Sequence, residues 1–157
     1  MIQATKKVIF IVGPTAIGKT KLSIRIAKKF KTEIISCDSR QFYKEMAIGT
    51  AKPTSIEMDG VVHHFIDSHS ILNPISAFQF GEEANKLIKQ EFKTKSVVVV
   101  VGGSGLYIDA ICKGFDKIPE VTKENRERVK KLYEENGLVW LQEKIKKIDP
   151  KYKLLEE

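Results

Sequence analysis

Apolar residues follow two different periods along the chain, and the two periods predict strands and helices in alternation. Stretches of strand length that are rich in apolar residues predict strands at 7–12, 33–37, 61–66 and 97–101, and the last of these is apolar throughout. Apolar positions spaced by three or four residues predict helices at 19–30, 76–94 and 104–113. Strands that alternate with helices pair in parallel, so we predict an α/β fold with three layers, in which 97–101 is a central strand covered on both faces.

The pattern changes after Gly114. A charged helix is predicted at about 122–136, Gly137 is predicted to end it, and a second helix is predicted at about 138–147. Each helix has a narrow apolar stripe, typical of a helical hairpin, formed by Val129, Leu132 and Tyr133 and by Leu138, Leu141 and Ile145. We therefore predict a core domain at 1–114 and an appended helical module at 115–157, which we expect to be incomplete because a further helix begins after Pro150 without a stop signal.

A glycine-bounded segment joins the first strand to the first helix and matches the pattern G-x-x-x-x-G-K-[ST]. Such a loop directs several unpaired backbone N–H groups at one point, where a diphosphate or a nucleotide binds. Lys19 would reach the outer phosphates, and the Thr20 hydroxyl would ligate Mg²⁺. The core is thus predicted to be P-loop NTPase-like, with a binding loop formed by Gly13, Pro14, Thr15, Ala16, Ile17, Gly18, Lys19 and Thr20.

Asp38 is the second candidate for chemistry, because it directly follows the strand at 33–37. Ligands bind at the carboxyl ends of parallel strands, so Asp38 would lie near the phosphate loop as a base or a Mg²⁺ ligand. Its alternative role is to cap the turn that follows. The strand at 97–101 ends in Gly102-Gly103-Ser104-Gly105, without the acid of an ATP-hydrolysing motor. These glycines either clear space for a ligand or permit tight packing.

Charge and residue content narrow the class of protein. The net charge is +7, and residues 1–44 contain ten Lys or Arg but only two acids, which suits an RNA partner or a solvated helix face. No apolar run is long enough for a bilayer and no signal peptide is recognisable, so a cytoplasmic protein is expected. Cys37 and Cys112 are predicted to be buried free thiols. The neighbouring His63 and His64 would point to opposite faces of a strand, which disfavours a shared metal.

Five ordered motifs span about a hundred residues: residues 13–20, Asp38-Ser39-Arg40-Gln41-x-Tyr43, Ile48-Gly49-Thr50-Ala51-Lys52-Pro53, His63-His64-x-Ile66-Asp67 and Gly102-Gly103-Ser104-Gly105-Leu106-Tyr107. Together these motifs closely resemble the tRNA dimethylallyltransferases. The resemblance implies transfer of a dimethylallyl group from dimethylallyl diphosphate to N6 of an adenosine beside the tRNA anticodon. The phosphate loop would then hold a leaving diphosphate, which needs no acid for hydrolysis.

The resemblance also implies a role for individual residues. Asp38 would deprotonate the attacking amine, while Thr15 and Lys19, with Thr20 and Mg²⁺, would stabilise charge on the diphosphate. The implied tRNA contacts are Asp38, Ser39, Arg40, Gln41, Ser104 and Arg126. The chain departs from the family in having Ile17 where Ser is more frequent and Ser104 where Thr is more frequent. Family members are about twice as long and have a further tRNA-contact motif, so this chain alone is expected to bind diphosphate but to lack part of the tRNA site.

Three other functions remain open from the residues. A nucleoside or nucleotide kinase has the same phosphate loop and would use Asp38 to bind an acceptor hydroxyl. A non-enzymatic RNA-binding module would use only the basic face. An adenylate isopentenyltransferase would transfer the same prenyl group to a free nucleotide. A monomer is expected in each case.

Overall fold

The computed structural model describes residues 5–116, 119 and 121–151. In chain order, its elements are β1 (Lys7–Val12), α1 (Lys19–Phe30), β2 (Ile34–Cys37), α2 (Ser55–Met58), β3 (His63–His64), α3 (Ala77–Glu91), β4 (Val97–Gly102), α4 (Gly105–Cys112) and α5 (Lys123–Ile148). The elements before α5 belong to one compact unit, Met1–Phe115, and α5 belongs to a second, Asp116–Glu157. The further helix predicted after Pro150 lies almost wholly outside the described residues.

The four strands form one parallel sheet in the order β1-β4-β2-β3. β4 lies between β1 and β2, and its first four valines are buried. The predictions of parallel pairing and of a central strand at 97–101 are therefore confirmed, and β4 extends one residue further, to Gly102. The predicted strands at 33–37 and 61–66 are shorter in the structure, at 34–37 and 63–64.

Helices cover both faces of the sheet because successive strand residues point in opposite directions. On one face, Ile24 and Ala27 of α1 pack against Ile34 and Val99. On the other face, α3 and α4 pack over Ile35, Val98 and Val100, together with Phe42, Phe80 and Ile111. The predicted three-layer α/β architecture is confirmed.

Capping side chains define where two of the helices begin. The Ser76 hydroxyl accepts a hydrogen bond from Gln79 N–H, and the Gln79 side chain accepts from Ser76 N–H, so α3 starts after Ser76. Thr54 and Glu57 form the same reciprocal pair at α2, a short helix in a part of the chain for which no element was predicted. α3 ends at Glu91, three residues before the predicted end.

The second unit consists mainly of α5, which is interrupted at Gly137. That glycine has φ 76° and ψ −175°, outside the helical region, so two helical segments meet there. Leu141 of the second segment lines the same shallow cavity as Val129 and Tyr133 of the first. Every residue of α5 is exposed or half-buried. None of the helices in the described part of the chain has the length and apolar content needed to span a bilayer.

Candidate functional site

The phosphate loop leaves β1 and enters α1 through backbone conformations that favour glycine. Gly13 has φ 151°, and Gly18, which caps α1, has φ 91°. Ala16 also has a positive φ, 67°. The first turn of α1 contains no acidic side chain, so its N–H groups and the positive end of the helix dipole face the loop without a competing carboxylate.

Lys19 lies over this loop. Its ammonium donates a hydrogen bond to the carbonyl oxygen of Pro14 at 2.6 Å. An anion that accepts hydrogen bonds from the loop N–H groups would therefore meet a positive charge at the same place. Thr20 follows in the first turn, is half-buried and lines the same cavity as Lys19.

Asp38 directly follows β2, which lies close to β4 at the carboxyl end of the sheet. Cys37 pairs with Gly102, where an added Cβ would lie 1.9 Å from Cys37 O. Arg40 N–H donates to Asp38 Oδ1 at 3.0 Å, and Gln41 N–H donates to Asp38 O at 3.2 Å. Asp38 therefore caps the turn with one carboxylate oxygen, Oδ1. Its other carboxylate oxygen makes no hydrogen bond within the described residues and is left for a second role at the strand end.

A cavity of about 660 Å³ joins the loop to Asp38. Among the predicted site residues, the cavity is lined by Thr15, Ala16, Gly18, Lys19, Thr20, Asp38 and Gln41. The remaining predicted residues of the core unit, which do not line it, are Gly13, Pro14, Ile17, Ser39, Arg40 and Ser104. Ser104 nevertheless lies beside the Asp38 turn, since its hydroxyl accepts a hydrogen bond from Ser39 N–H at 3.2 Å. Arg126 belongs to the second unit, where it is exposed and lines the shallow cavity of α5.

Several ionisable side chains of the cavity were not among the predicted site residues. They are Lys21, Arg25, Lys52, Glu57, Asp59 and His63. Lys21 and Arg25 are four residues apart on α1 and so lie on the same face of the helix. From this spacing the sequence could have predicted that they line the same surface. Lys52 and His63 lie in two of the motifs that carry the resemblance, but no place in the cavity was predicted for them, because both reach it only through the path of the chain between β2 and β3.

Burial and hydrogen bonding set the protonation of three groups around the site. Burial, with a smaller contribution from the charge of Asp38, raises the pKa of Cys37 to about 12, so this thiol stays neutral. Cys112 is exposed, and the prediction that both thiols are buried is wrong for it, because it is the last residue of α4. Desolvation lowers the pKa of His63. Hydrogen bonds from the backbone and hydroxyl of Thr54 lower the pKa of Glu57, which keeps it ionised.

His63 and His64 have separate partners and do not form a shared metal site. His63 Nδ1 contacts Val61 O at 2.9 Å, while His64 Nε2 pairs with Glu33. The described residues contain no group of three or more His, Cys, Asp and Glu side chains that could hold a metal by themselves. The Thr20 hydroxyl and the Asp38 carboxylate do line one cavity, and such oxygen atoms suit Mg²⁺, which keeps phosphate oxygens and waters as its other ligands.

The chain matches one family model and a set of related proteins. The model for IPP transferase matches residues 41–154, more than half of the chain. The tRNA dimethylallyltransferase of Flavobacterium johnsoniae is 50% identical over 147 residues, which cover 94% of this chain and 48% of that protein. The tRNA dimethylallyltransferase of Christiangramia forsetii is 51% identical over 142 residues, 90% of this chain and 47% of that protein. The chain therefore spans about half the length of these relatives.

Solved structures give the same assignment. The tRNA isopentenylpyrophosphate transferase of Bacillus halodurans superposes with a TM-score of 0.69 at 40% identity, over 94% of this chain and 49% of that one. A eukaryotic dimethylallyltransferase acting on tRNA superposes with a TM-score of 0.65 at 31% identity, over 76% of this chain and 31% of that one. Because the family model covers most of the chain and the parallel sheet agrees with these structures, the chain belongs to the IPP transferase family.

Proposed function

We propose that this chain forms the diphosphate-binding and base-bearing part of a tRNA dimethylallyltransferase. The reaction is transfer of a dimethylallyl group from dimethylallyl diphosphate to N6 of an adenosine beside the anticodon. The observation that carries the proposal is the single cavity lined both by the phosphate loop and by Asp38. A transferase needs the phosphate loop and the base in one cavity, because the leaving diphosphate and the attacking amine must be held on opposite sides of the carbon that is transferred.

Three features of the loop support its role in holding the leaving diphosphate. Backbone N–H groups at the start of α1, the Lys19 ammonium and the Thr20 hydroxyl all lie within one short segment. When the bond from C1 of the dimethylallyl group to oxygen breaks, the electron pair leaves with the diphosphate, whose charge grows. Donors that already point at this position stabilise the charge without having to reorganise. Thr15 lines the cavity beside them and would contact the same oxygens.

Asp38 would act as the base. The N6 amine attacks C1 and forms the new nitrogen–carbon bond, and the proton lost by nitrogen passes to the free oxygen of the Asp38 carboxylate. The other oxygen is held by Arg40 N–H, which fixes the orientation of the group. A positioned general base of this kind contributes about 10²–10⁴-fold to the rate.

We propose that Mg²⁺ is bound by the Thr20 hydroxyl together with diphosphate oxygens. When bound, the ion would neutralise part of the charge on the leaving group. We also propose that the turn at Ser39, Arg40 and Gln41, with Ser104 beside it, contacts the tRNA, and that Arg126 in the second unit does so as well. The eukaryotic structural relative acts on tRNA, and a tRNA substrate favours a site of action in the cytoplasm.

The isosteric variant Asp38→Asn tests the assignment of the base. We expect transfer of a radiolabelled prenyl group to tRNA to fall by about 10²–10⁴-fold, while binding of dimethylallyl diphosphate, measured by calorimetry, changes less than twofold. Asp109→Asn, which removes an exposed carboxylate on α4, is the matched control and should transfer normally. Unchanged transfer by Asp38→Asn would refute the role of Asp38.

Competition experiments separate the proposed reaction from the alternatives. If tRNA is the acceptor, unlabelled tRNA should reduce labelling in a mixture and AMP should not; the reverse result would indicate an adenylate isopentenyltransferase. A kinase would instead release ADP from ATP in the presence of a nucleoside. A pure RNA-binding module would bind tRNA and transfer nothing, whether or not Asp38 is present.

A further inference from the structure

Lys52 is a nearly buried cation that no motif role explains. Its side chain is 9% exposed although it lines the cavity. The ammonium donates one hydrogen bond to Tyr43 O and another to Asp67 Oδ1, each at 2.5 Å. A charge held this far from water requires partners of this kind, because burial of an unpaired ammonium is strongly unfavourable.

The contacts of Lys52 connect three segments. The base segment, residues 38–44, contains Asp38; the wall segment, residues 50–53, lines the cavity; and the anchor segment, residues 65–69, contains Asp67. Gln41 joins the base segment to the wall segment, since its side-chain amide donates to Thr50 O at 3.0 Å and to Ala51 O at 3.1 Å. Asp67 N–H donates to Gln41 O at 3.1 Å, which joins the anchor segment to the base segment.

Backbone pairing alone leaves the wall segment weakly attached. The base and anchor segments share two further backbone hydrogen bonds, His69 N–H to Phe42 O at 2.9 Å and Lys44 N–H to His69 O at 3.0 Å. Within the described residues, the wall segment is held by side-chain hydrogen bonds: those of Gln41 and Lys52, and those that the Thr50 hydroxyl donates to Met46 O at 2.9 Å and to Ala47 O at 3.3 Å. Lys52 is the residue that contacts both of the other segments at once.

We propose that Lys52 and Asp67 are positioning residues for the transfer reaction, and that their ion pair holds the wall and base segments so that the Asp38 carboxylate faces the diphosphate loop. This inference rests on the proposed function. Neither side chain would touch the reacting atoms. The pair acts through Tyr43 O and Gln41 on the turn that carries Asp38, and a displacement of about 1 Å there is enough to lower the rate about 10²-fold.

A direct role for Lys52 is the competing explanation, because a cation that lines the cavity could also bind the diphosphate itself. The two roles predict different effects for Asp67, which does not line the cavity. If Lys52 binds the anion directly, loss of the Asp67 carboxylate leaves that binding intact or strengthens it. If the pair positions the base segment, loss of either partner produces the same defect.

The test compares Lys52→Met, Asp67→Asn and the double variant in the full chain. Methionine preserves the unbranched stem of lysine, and asparagine preserves the shape of aspartate. We expect each single variant to lower kcat for prenyl transfer by about 10- to 100-fold with less than a twofold change in KM for dimethylallyl diphosphate, and the double variant to be no worse than either. Lys52→Arg keeps the charge and should recover at least about tenfold over Lys52→Met. Lys113→Met, which breaks an exposed pair on α4, is the control.

Each outcome decides the question. A rise in KM for Lys52→Met without a kcat loss in Asp67→Asn would overturn the positioning role in favour of direct diphosphate binding, and normal kcat in both variants would overturn any role. The chain alone is expected to lack part of the tRNA site, so absence of transfer does not refute the proposed function, which fails separately if the unmodified chain does not bind dimethylallyl diphosphate. If transfer is absent, the positioning role is decided by amide exchange: faster exchange at residues 41–44 in both variants, with residues 13–20 unchanged, supports it, and unchanged exchange at 41–44 overturns it.

Discussion

The close approach of β2 and β4 at Gly102 leads to a sharp prediction for Gly102→Ala. An added Cβ would lie 1.9 Å from Cys37 O and 2.5 Å from Cys37 C, and both of these are backbone atoms. Ordinary contacts of this kind begin at 3.4 Å. No side chain can rotate to make room, so the two strands would have to separate by about 1.5 Å in a close-packed interior.

That separation determines the expected size of the effect. The separation would break the pairing of Ser36 with Val101 and of Cys37 with Gly102, where Cys37 is fully buried. Overpacking in a core typically costs about 1–3 kcal/mol, and we expect the upper end, about 3 kcal/mol, because main chain must move. For a chain of this size the loss corresponds to a fall in Tm of about 6–12 °C.

Urea unfolding followed by far-ultraviolet circular dichroism measures the effect, with Gly105→Ala as the matched control. Gly105 is the first residue of α4, and an added Cβ there meets nothing within 4 Å. Because alanine favours helix over glycine, Gly105→Ala should be neutral or stabilising by up to about 1 kcal/mol. If Gly102→Ala unfolds at the same urea concentration as Gly105→Ala, the inferred contact between β2 and β4 is wrong.

Two further predictions follow from the protonation of buried groups. Burial raises the pKa of Cys37 to about 12 while Cys112 is exposed, so a thiol reagent at about pH 8 should label Cys112 rapidly and Cys37 only after denaturation; equal labelling rates would contradict the packing of β2. Desolvation, and to a smaller extent the charge of His64, lowers the pKa of His63. Below about pH 6.5 the unfolded chain therefore binds more protons than the folded chain, and the free energy of unfolding falls as the pH falls. The loss in free energy of unfolding between about pH 7 and pH 5 should be smaller in His63→Asn than in the unmodified chain, and an equal loss would show that His63 is not desolvated.

The elements with a strong local period could be predicted closely, and the departures have identifiable causes. β1 and α1 begin and end at the predicted residues. The run at 61–66 is apolar enough for a longer strand, but β3 contains only His63 and His64. Phe65 adopts a φ of 64°, and its ring packs edge-on against Phe42 and Phe80 at centroid distances of 6.2 and 4.8 Å. Packing across the fold thus ends a strand that the local sequence favours.

Some residues of the candidate site could likewise be predicted from local sequence, and others could not. The phosphate loop is contiguous, so its glycines, Lys19 and Thr20 could be recognised together, and the position of Asp38 followed from the rule for parallel strands. Ser104 was singled out by resemblance, and its hydrogen bond to Ser39 N–H spans 65 positions of sequence. No local pattern predicts the pairing of Lys52 with Asp67 or the place of His63 in the cavity.

Local sequence alone accounts for the type of each main element, for the parallel α/β architecture and for a loop that can bind a diphosphate, because periodicity, glycine positions and capping residues act over only a few residues. Tertiary contacts decide where the strands end, which cations line the cavity and how the Asp38 turn is held. These features depend on segments that lie far apart in sequence, and their contacts form only when the sheet and its two helical layers have packed.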